Sequence, residues 1–287
     1  MSGTAFALAI FTIFLWSFLA YLGASLNHLP SLLVVAIALS ISGLFSSFSF
    51  RSWKVPPGTL LVGIGGLFGY HFLYFSAYKF APAVETNLIN YLWPLLIVLL
   101  SPLFLKDYNL RVYHLGGALL GLCGAALIIS EGSIVLDTAF LKGYGLAAGA
   151  ALVWACYSLM TKKLPLFPTG AVGAFCLVSG LLAFGAFLLT NPPDRSIQLT
   201  AQDWIALILL GIGPMGAAFF TWDAALKRGD PRIIGSLAYL TPMTSTLVLV
   251  LIGGYRMTWV SALAMFLIVS GATLGSFDLF RDMLASR

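Results

Sequence analysis

At 287 residues, with 60% of them hydrophobic and only 9% charged, the chain has too few charged groups to cover a soluble surface, which excludes a soluble globular protein. The net charge of +5 would suit nucleic acid, but the Lys and Arg residues sit in short breaks between apolar runs, so the lipid bilayer is the expected partner and nucleic acid is not. Cys123, Cys156 and Cys176 stand singly inside apolar runs, which predicts packing roles and neither a disulfide framework, a metal site nor a cofactor.

A helix rising ~1.5 Å per residue needs about 20 apolar residues to cross a hydrocarbon core. Ten such runs can be read, at about 4–26, 31–50, 58–79, 83–105, 111–130, 139–162, 168–190, 204–227, 231–253 and 257–277. This predicts an all-α integral membrane protein with ten transmembrane helices and almost nothing outside the membrane. Assigning the breaks alternately to two sides gives one side eleven basic residues: Arg51, Lys54, Lys106, Arg111, Lys162, Lys163, Lys227, Arg228, Arg232, Arg281 and Arg287. The other side receives four: Lys79, Lys142, Arg195 and Arg256. That asymmetry predicts both termini in the cytoplasm. The first run lacks a basic leader and a cleavage site, so it is expected to be a retained span.

The first span holds Trp16 near its midpoint, where an indole N–H cannot reach water and needs another partner. A tight turn at Asn27, His28, Leu29 and Pro30 leads to a second span that reads as scaffold. The third carries Tyr70, Tyr74 and Tyr78 four residues apart, with His71 about 60° from Tyr74 on the helical wheel. Such a stripe at mid-depth faces a cavity or satisfies itself inside the bundle, with His71 donating to a carbonyl. In the fourth span Thr86, Asn90, Trp93 and Ile97 define one face, and Pro94 deprives the Asn90 carbonyl of its usual donor. At the membrane centre that carbonyl needs a substitute, which a substrate ammonium could supply, or the proline simply kinks the helix. Gly117, Gly121 and Gly124 in the fifth span suit close helix packing within the chain, or dimerisation.

The sixth span repeats the first, with Trp154 lying 138 residues after Trp16, followed by Tyr157, Ser158 and Thr161 on one face. Farther on the offset is 148: Gly63, Gly65, Tyr91, Leu92 and Pro94 recur as Gly211, Gly213, Tyr239, Leu240 and Pro242. The extra residues are expected in the loop holding Asn191 to Arg195. Residues 1–132 and 133–287 therefore read as two copies of one unit. Five spans per copy is an odd number, so the second copy must enter the membrane inverted. In the eighth span Asp223 lies one turn from Lys227, which predicts a local ion pair, with a gating or coupling role as the alternative.

The two-fold arrangement, the ten spans and the tryptophans in the first and sixth resemble the drug/metabolite transporter superfamily, EamA type, over essentially the whole chain. Within it, Gly69-Tyr-His-Phe-Leu-Tyr74 and Asn90-Tyr-Leu-Trp-Pro94 are similar to YddG-type exporters of aromatic amino acids. The resemblance implies inverted five-helix repeats around a central cavity lined mainly by spans one, three, four, six, eight and nine.

The residues lead to a compatible place. Trp16, Tyr70, His71, Tyr74, Asn90, Trp93, Trp154, Tyr157 and Tyr239 lie near the centres of their spans and are the candidate substrate-binding residues, with Pro94 and Pro242 as candidate hinges. Aromatic faces suit an aromatic ring or an ammonium. The expected function is export of aromatic and other neutral amino acids across the inner membrane by a monomer working through alternating access. Export of cationic drugs or other small metabolites is the alternative; a drug-cation site would call for an acid at the midplane, and Glu85 lies near the end of its span. A channel is a further class, which trans-stimulation of uptake would separate from a carrier. His28, His71 and His114 fall at three depths with no paired carboxylates, so an enzyme is not expected.

Overall fold

The computed structural model describes residues 2–133, 136–190, 197–252 and 257–278, and every regular element among them is a helix. Arg195, Arg256, Arg281 and Arg287, and the loop at Asn191 to Asp194, lie outside the described residues. In chain order the helices are α1 (Gly3–Trp16), α2 (Leu19–Ser25), α3 (Ser31–Phe45), α4 (Pro57–Ala77), α5 (Ala83–Asn90), α6 (Trp93–Phe104), α7 (Val112–Ser130), α8 (Leu141–Lys163), α9 (Val172–Thr190), α10 (Ala201–Ile212), α11 (Ala218–Arg228), α12 (Pro231–Ala238), α13 (Leu240–Leu251) and α14 (Trp259–Gly275).

Taken with their continuations, these make eight helices long and apolar enough to cross a membrane, or nine if α3 and the short 3₁₀ piece Ser47–Trp53 count as one span bent by 84°. The run at 31–50 is thus sharply bent rather than straight. The bend falls at Ser46, whose hydroxyl donates back to the Gly43 carbonyl at 2.8 Å and competes with the helical ladder. α14 has 17 residues, about 26 Å at ~1.5 Å per residue, slightly less than the hydrocarbon thickness. Large apolar side chains such as Leu61, Leu103, Leu189 and Phe266 point out of the bundle, as lipid requires and water would not tolerate.

Starts and stops follow local chemistry. Thr200 and Asp203 form a reciprocal capping box at the head of α10, Asp230 caps α12 with Pro231 in its first turn, and Thr258 caps α14. The helices pack mainly as α3 on α9, α7 on α14, α4 on α8 and α1 on α11. On α7 and α14 the backbones nearly touch: a Cβ on Gly117 would sit 2.6 Å from the Gly271 carbonyl oxygen, and one on Gly271 would sit 2.6 Å from that of Gly117. The glycine pattern of the fifth span therefore serves packing inside the chain.

Four helices are interrupted at the level of the bundle's middle. α1 and α2 part at Ser17 and Phe18, α5 and α6 at Tyr91 and Leu92, and α12 and α13 at Tyr239, while α10 and α11 are joined by a π-helical turn over Gly213–Ala217. Prolines 94, 214 and 242 account for three of these, since each removes one amide donor. At α1 the freed Ser17 carbonyl is taken by the Ser245 hydroxyl of α13 at 2.9 Å.

Candidate functional site

The interruptions ring one cavity of about 600 Å³, a size usual for small-molecule sites, which run from about 300 to 1,000 Å³. Its lining runs from Trp16, Trp93 and Trp154 at mid-depth to Gly23, Asn27, Tyr78 and Asn87, so it extends toward the end of the bundle that carries the turns at 26–30 and 78–81. Among the described residues, no Lys, Arg, Asp or Glu lines it.

Its floor is a cluster of tryptophans. Trp16 meets Trp93, Trp154 and Trp222 at ring-centroid distances of 5.9, 6.0 and 5.1 Å, and Trp93 meets Trp154 at 6.3 Å, mostly edge to face. Two of these buried indoles find acceptors. Trp16 Nε1 donates to the Pro214 carbonyl at 3.1 Å, a group presented by the π-helical turn, and Trp222 Nε1 donates to Ser158 Oγ at 3.0 Å. That answers the question posed by a mid-depth Trp16.

One wall is the tyrosine stripe of α4. Tyr78 donates to Tyr74 at 2.6 Å, Tyr74 donates to Asn87 Oδ1 at 2.8 Å, and Asn90 Nδ2 donates to Tyr70 at 3.1 Å. The stripe thus both satisfies itself and faces the cavity, so the two sequence readings are compatible. His71 lies at the floor's edge with Nδ1 2.7 Å from the Leu67 carbonyl. A carbonyl only accepts, so Nδ1 carries the hydrogen there and a neutral ring keeps Nε2 as an acceptor.

Trp16, Tyr70, His71, Tyr74, Asn90, Trp93 and Trp154 all line the cavity, whereas Tyr157 and Tyr239 do not. Tyr157 lies beneath, 5.5 Å from Trp154 and 3% exposed. Tyr239 is fully buried, its hydroxyl accepting from the Leu95 N–H at 3.1 Å and donating to the Tyr91 carbonyl at 3.2 Å. Helical periodicity gives depth along a span but not which neighbour a face meets, and these two faces meet other helices. Pro94 and Pro242 flank the breaks without lining the cavity. α3, read as scaffold, contributes Ser31, Val34 and Val35 to the lining.

Sequence reading missed Phe219 and Trp222, yet the 148-residue offset pointed at both: Phe219 answers to His71 and Trp222 to Tyr74. His71 and Phe219 meet at 6.1 Å. It also missed Tyr91, Asn87 and Met215 in the lining.

Below the floor the bundle is closed. Thr12 and Thr221 hydroxyls meet at 2.7 Å, and Lys162 Nζ donates to the carbonyls of Leu226 at 3.1 Å and Gly229 at 2.5 Å, at the end of α11. Asp223 Oδ2 receives Lys227 Nζ at 2.6 Å and the Thr169 hydroxyl at 2.7 Å, so the ion pair expected one turn apart is formed.

Such a chamber, open toward one end and sealed at the other by broken helices, is the architecture of a small-molecule carrier. Comparison with known proteins agrees. The family model of the EamA-like transporter family matches twice, over residues 3–130 and 141–277. The aromatic amino acid exporter YddG of Ancylobacter novellus is 40% identical over 96% of this chain and 98% of its own. The exporter of the same name from Escherichia coli K12 is 27% identical over 74% of this chain and 75% of its own, and a biotin transporter of that organism is 27% identical over 80% and 78%. A solved crystal structure, 38% identical, superposes on 98% of this chain and 99% of its own with a TM-score of 0.92. With two family matches that together span nearly all of a helical bundle built around one chamber, the chain belongs to the EamA-like transporter family.

Proposed function

We propose that this chain exports aromatic and other neutral amino acids from the cytoplasm by alternating access, as a monomer of the inner membrane. The observation that carries this is the cavity: ring faces on its floor and one wall, hydroxyl and amide groups beside them, and no charged side chain among the described residues. An aromatic side chain stacks on such a floor, and an α-ammonium is held by ring faces and by tyrosine and asparagine oxygens. A drug cation would call for a buried acid, which the lining lacks. The 40% identical exporter supports the same choice.

The architecture that goes with it is ten crossings in two inverted repeats, 1–132 and 133–287. The double family match supports this. So does the pairing of helices, which maps onto itself when the halves are exchanged: α4 on α8 answers to α11 on α1. Trp16 and Trp154 answer to each other and touch, as do His71 and Phe219, which suits a two-fold axis passing between them. The asymmetry of basic residues supports both termini in the cytoplasm. Reporter fusions after Lys54 and after Lys163 should both report cytoplasm, and a periplasmic signal from either would overturn this topology.

Pro94 and Pro242 serve as hinges at the two breaks. Pro94→Ala restores an amide donor opposite the Asn90 carbonyl, and should slow turnover severalfold while changing substrate affinity little. Wild-type turnover in both Pro94→Ala and Pro242→Ala would mean that the prolines only shape the cavity. The test of function is a proteoliposome panel of labelled Phe, Trp, Thr, biotin and a lipophilic cation, with and without a pH gradient. Saturable, trans-stimulated Phe and Trp transport is expected; transport of the cation or biotin alone would replace the proposal.

A further inference from the structure

The Tyr239 hydroxyl stands where a helical hydrogen bond would be. In an unbroken helix the Leu95 N–H would bond the Tyr91 carbonyl four residues earlier. Here the phenol oxygen accepts from that N–H at 3.1 Å and donates to that carbonyl at 3.2 Å. One side chain from the second half thus satisfies both backbone groups freed in the first half, at a depth where lipid offers neither donor nor acceptor. The place is built for it, since Gly121 of α7 leaves room for the ring: a Cβ there would lie 2.5 Å from Tyr239 Cδ2. The hydroxyl therefore pins the bend between α5 and α6.

Tyr91 is the repeat counterpart of Tyr239, 148 residues earlier, and each is followed three residues on by a proline. Their environments differ, because Tyr91 lines the cavity while Tyr239 is fully buried. In an inverted repeat, any arrangement in which the two halves differ has a counterpart with the halves exchanged. That counterpart is made from equivalent contacts and opens to the opposite side.

We propose that the two tyrosines exchange places during transport. In the arrangement described here Tyr239 spans the break in the fourth span; in the opposite one Tyr91 inserts between the Tyr239 carbonyl and the Met243 N–H, and Tyr239 turns to the cavity. Each hydroxyl then stabilises one end state only, and the pair sets the balance between them. This rests on the alternating-access reading above.

The test uses purified full-length protein with Cys123, Cys156 and Cys176 replaced by Ala, carrying one reporter at a time. Gly23→Cys lines the cavity, where a Cβ meets nothing within 4 Å. Thr161→Cys is its counterpart at the 138-residue offset and is 3% exposed. Labelling rates with a hydrophilic maleimide report the two sides. Tyr239→Phe should slow labelling at position 23 and speed it at position 161, shifting the ratio about tenfold, the scale of one lost buried hydrogen-bond bridge. Tyr91→Phe should shift it the other way, and the double variant should return near the parent. Shifts in the same direction, or none, overturn the exchange. Added Phe should itself change the ratio in the parent. If it does not, alternating access fails and the exchange with it; if it does while the two variants move together, only the exchange fails.

Discussion

Replacing Lys227 with Met should destabilise the protein by about 3–5 kcal/mol, the usual cost of leaving one member of a buried ion pair without its partner. The Asp223 side chain is fully buried and that of Lys227 is 9% exposed, so water cannot take over from the missing ammonium. Oδ2 would keep only the Thr169 hydroxyl, and Oδ1 is buried without a hydrogen-bond partner. Lys227 also donates to the Phe167 carbonyl at 2.9 Å and lies 3.4 Å above the Phe167 ring, so the same change loosens the segment that leads into α9. Asp223→Leu combined with Lys227→Met removes both charges and should recover most of the loss. Thermal unfolding in detergent, followed by monodispersity, measures both. A single variant as stable as the parent would show that the carboxylate finds other partners, and that this pair does not hold the sealed end together.

The second large effect is expected at Trp154, the ring that touches most of the floor. It meets Trp16, Trp93, Tyr70, Tyr157 and Phe219 at 6.0, 6.3, 5.1, 5.5 and 5.6 Å and is 3% exposed. Trp154→Ala opens a void between both halves, with a stability loss of about 3–5 kcal/mol. It also removes a stacking surface for the substrate, so affinity for Trp or Phe should fall at least fivefold, or about 1 kcal/mol or more. Trp154→Phe keeps a ring and should retain much of the stability while losing part of the affinity. Tryptophan-fluorescence quenching and initial transport rates in proteoliposomes separate the two effects. Wild-type transport by the Ala variant at normal expression would reduce this tryptophan to packing.

Much of this site was legible because the bilayer enforces simple rules. Polar and aromatic groups at mid-depth are costly unless they face a partner or a cavity, so Trp16, the tyrosine stripe, His71, Asn90 and Trp93 could be singled out from their positions alone. An ion pair between Asp223 and Lys227 was legible from helical spacing, because one turn brings the two side chains together whatever surrounds them. The same rules left Phe219 unmarked, since an apolar ring at mid-depth has no need to declare a partner; Trp222, whose indole N–H needs an acceptor and takes Ser158 Oγ, lay within their reach.

The sequence by itself determined that the chain is a set of apolar membrane helices, along with the basic-residue asymmetry and the internal offsets, because each depends on hydropathy and count along one chain. Only the tertiary structure decided which mid-depth rings share the chamber and which are spent on packing. Tyr239 is the clearest case. Its depth and its match to Tyr91 were readable, but its role comes from a backbone break in another helix that its hydroxyl reaches. Pro94 marked the break beside Tyr91, but the sharp bend after α3 and the break beside Trp16 were hidden, because an apolar run is continuous in composition even where its hydrogen-bond ladder is not. What satisfies each interrupted backbone group is a long-range contact, and long-range contacts are fixed by how the helices pack.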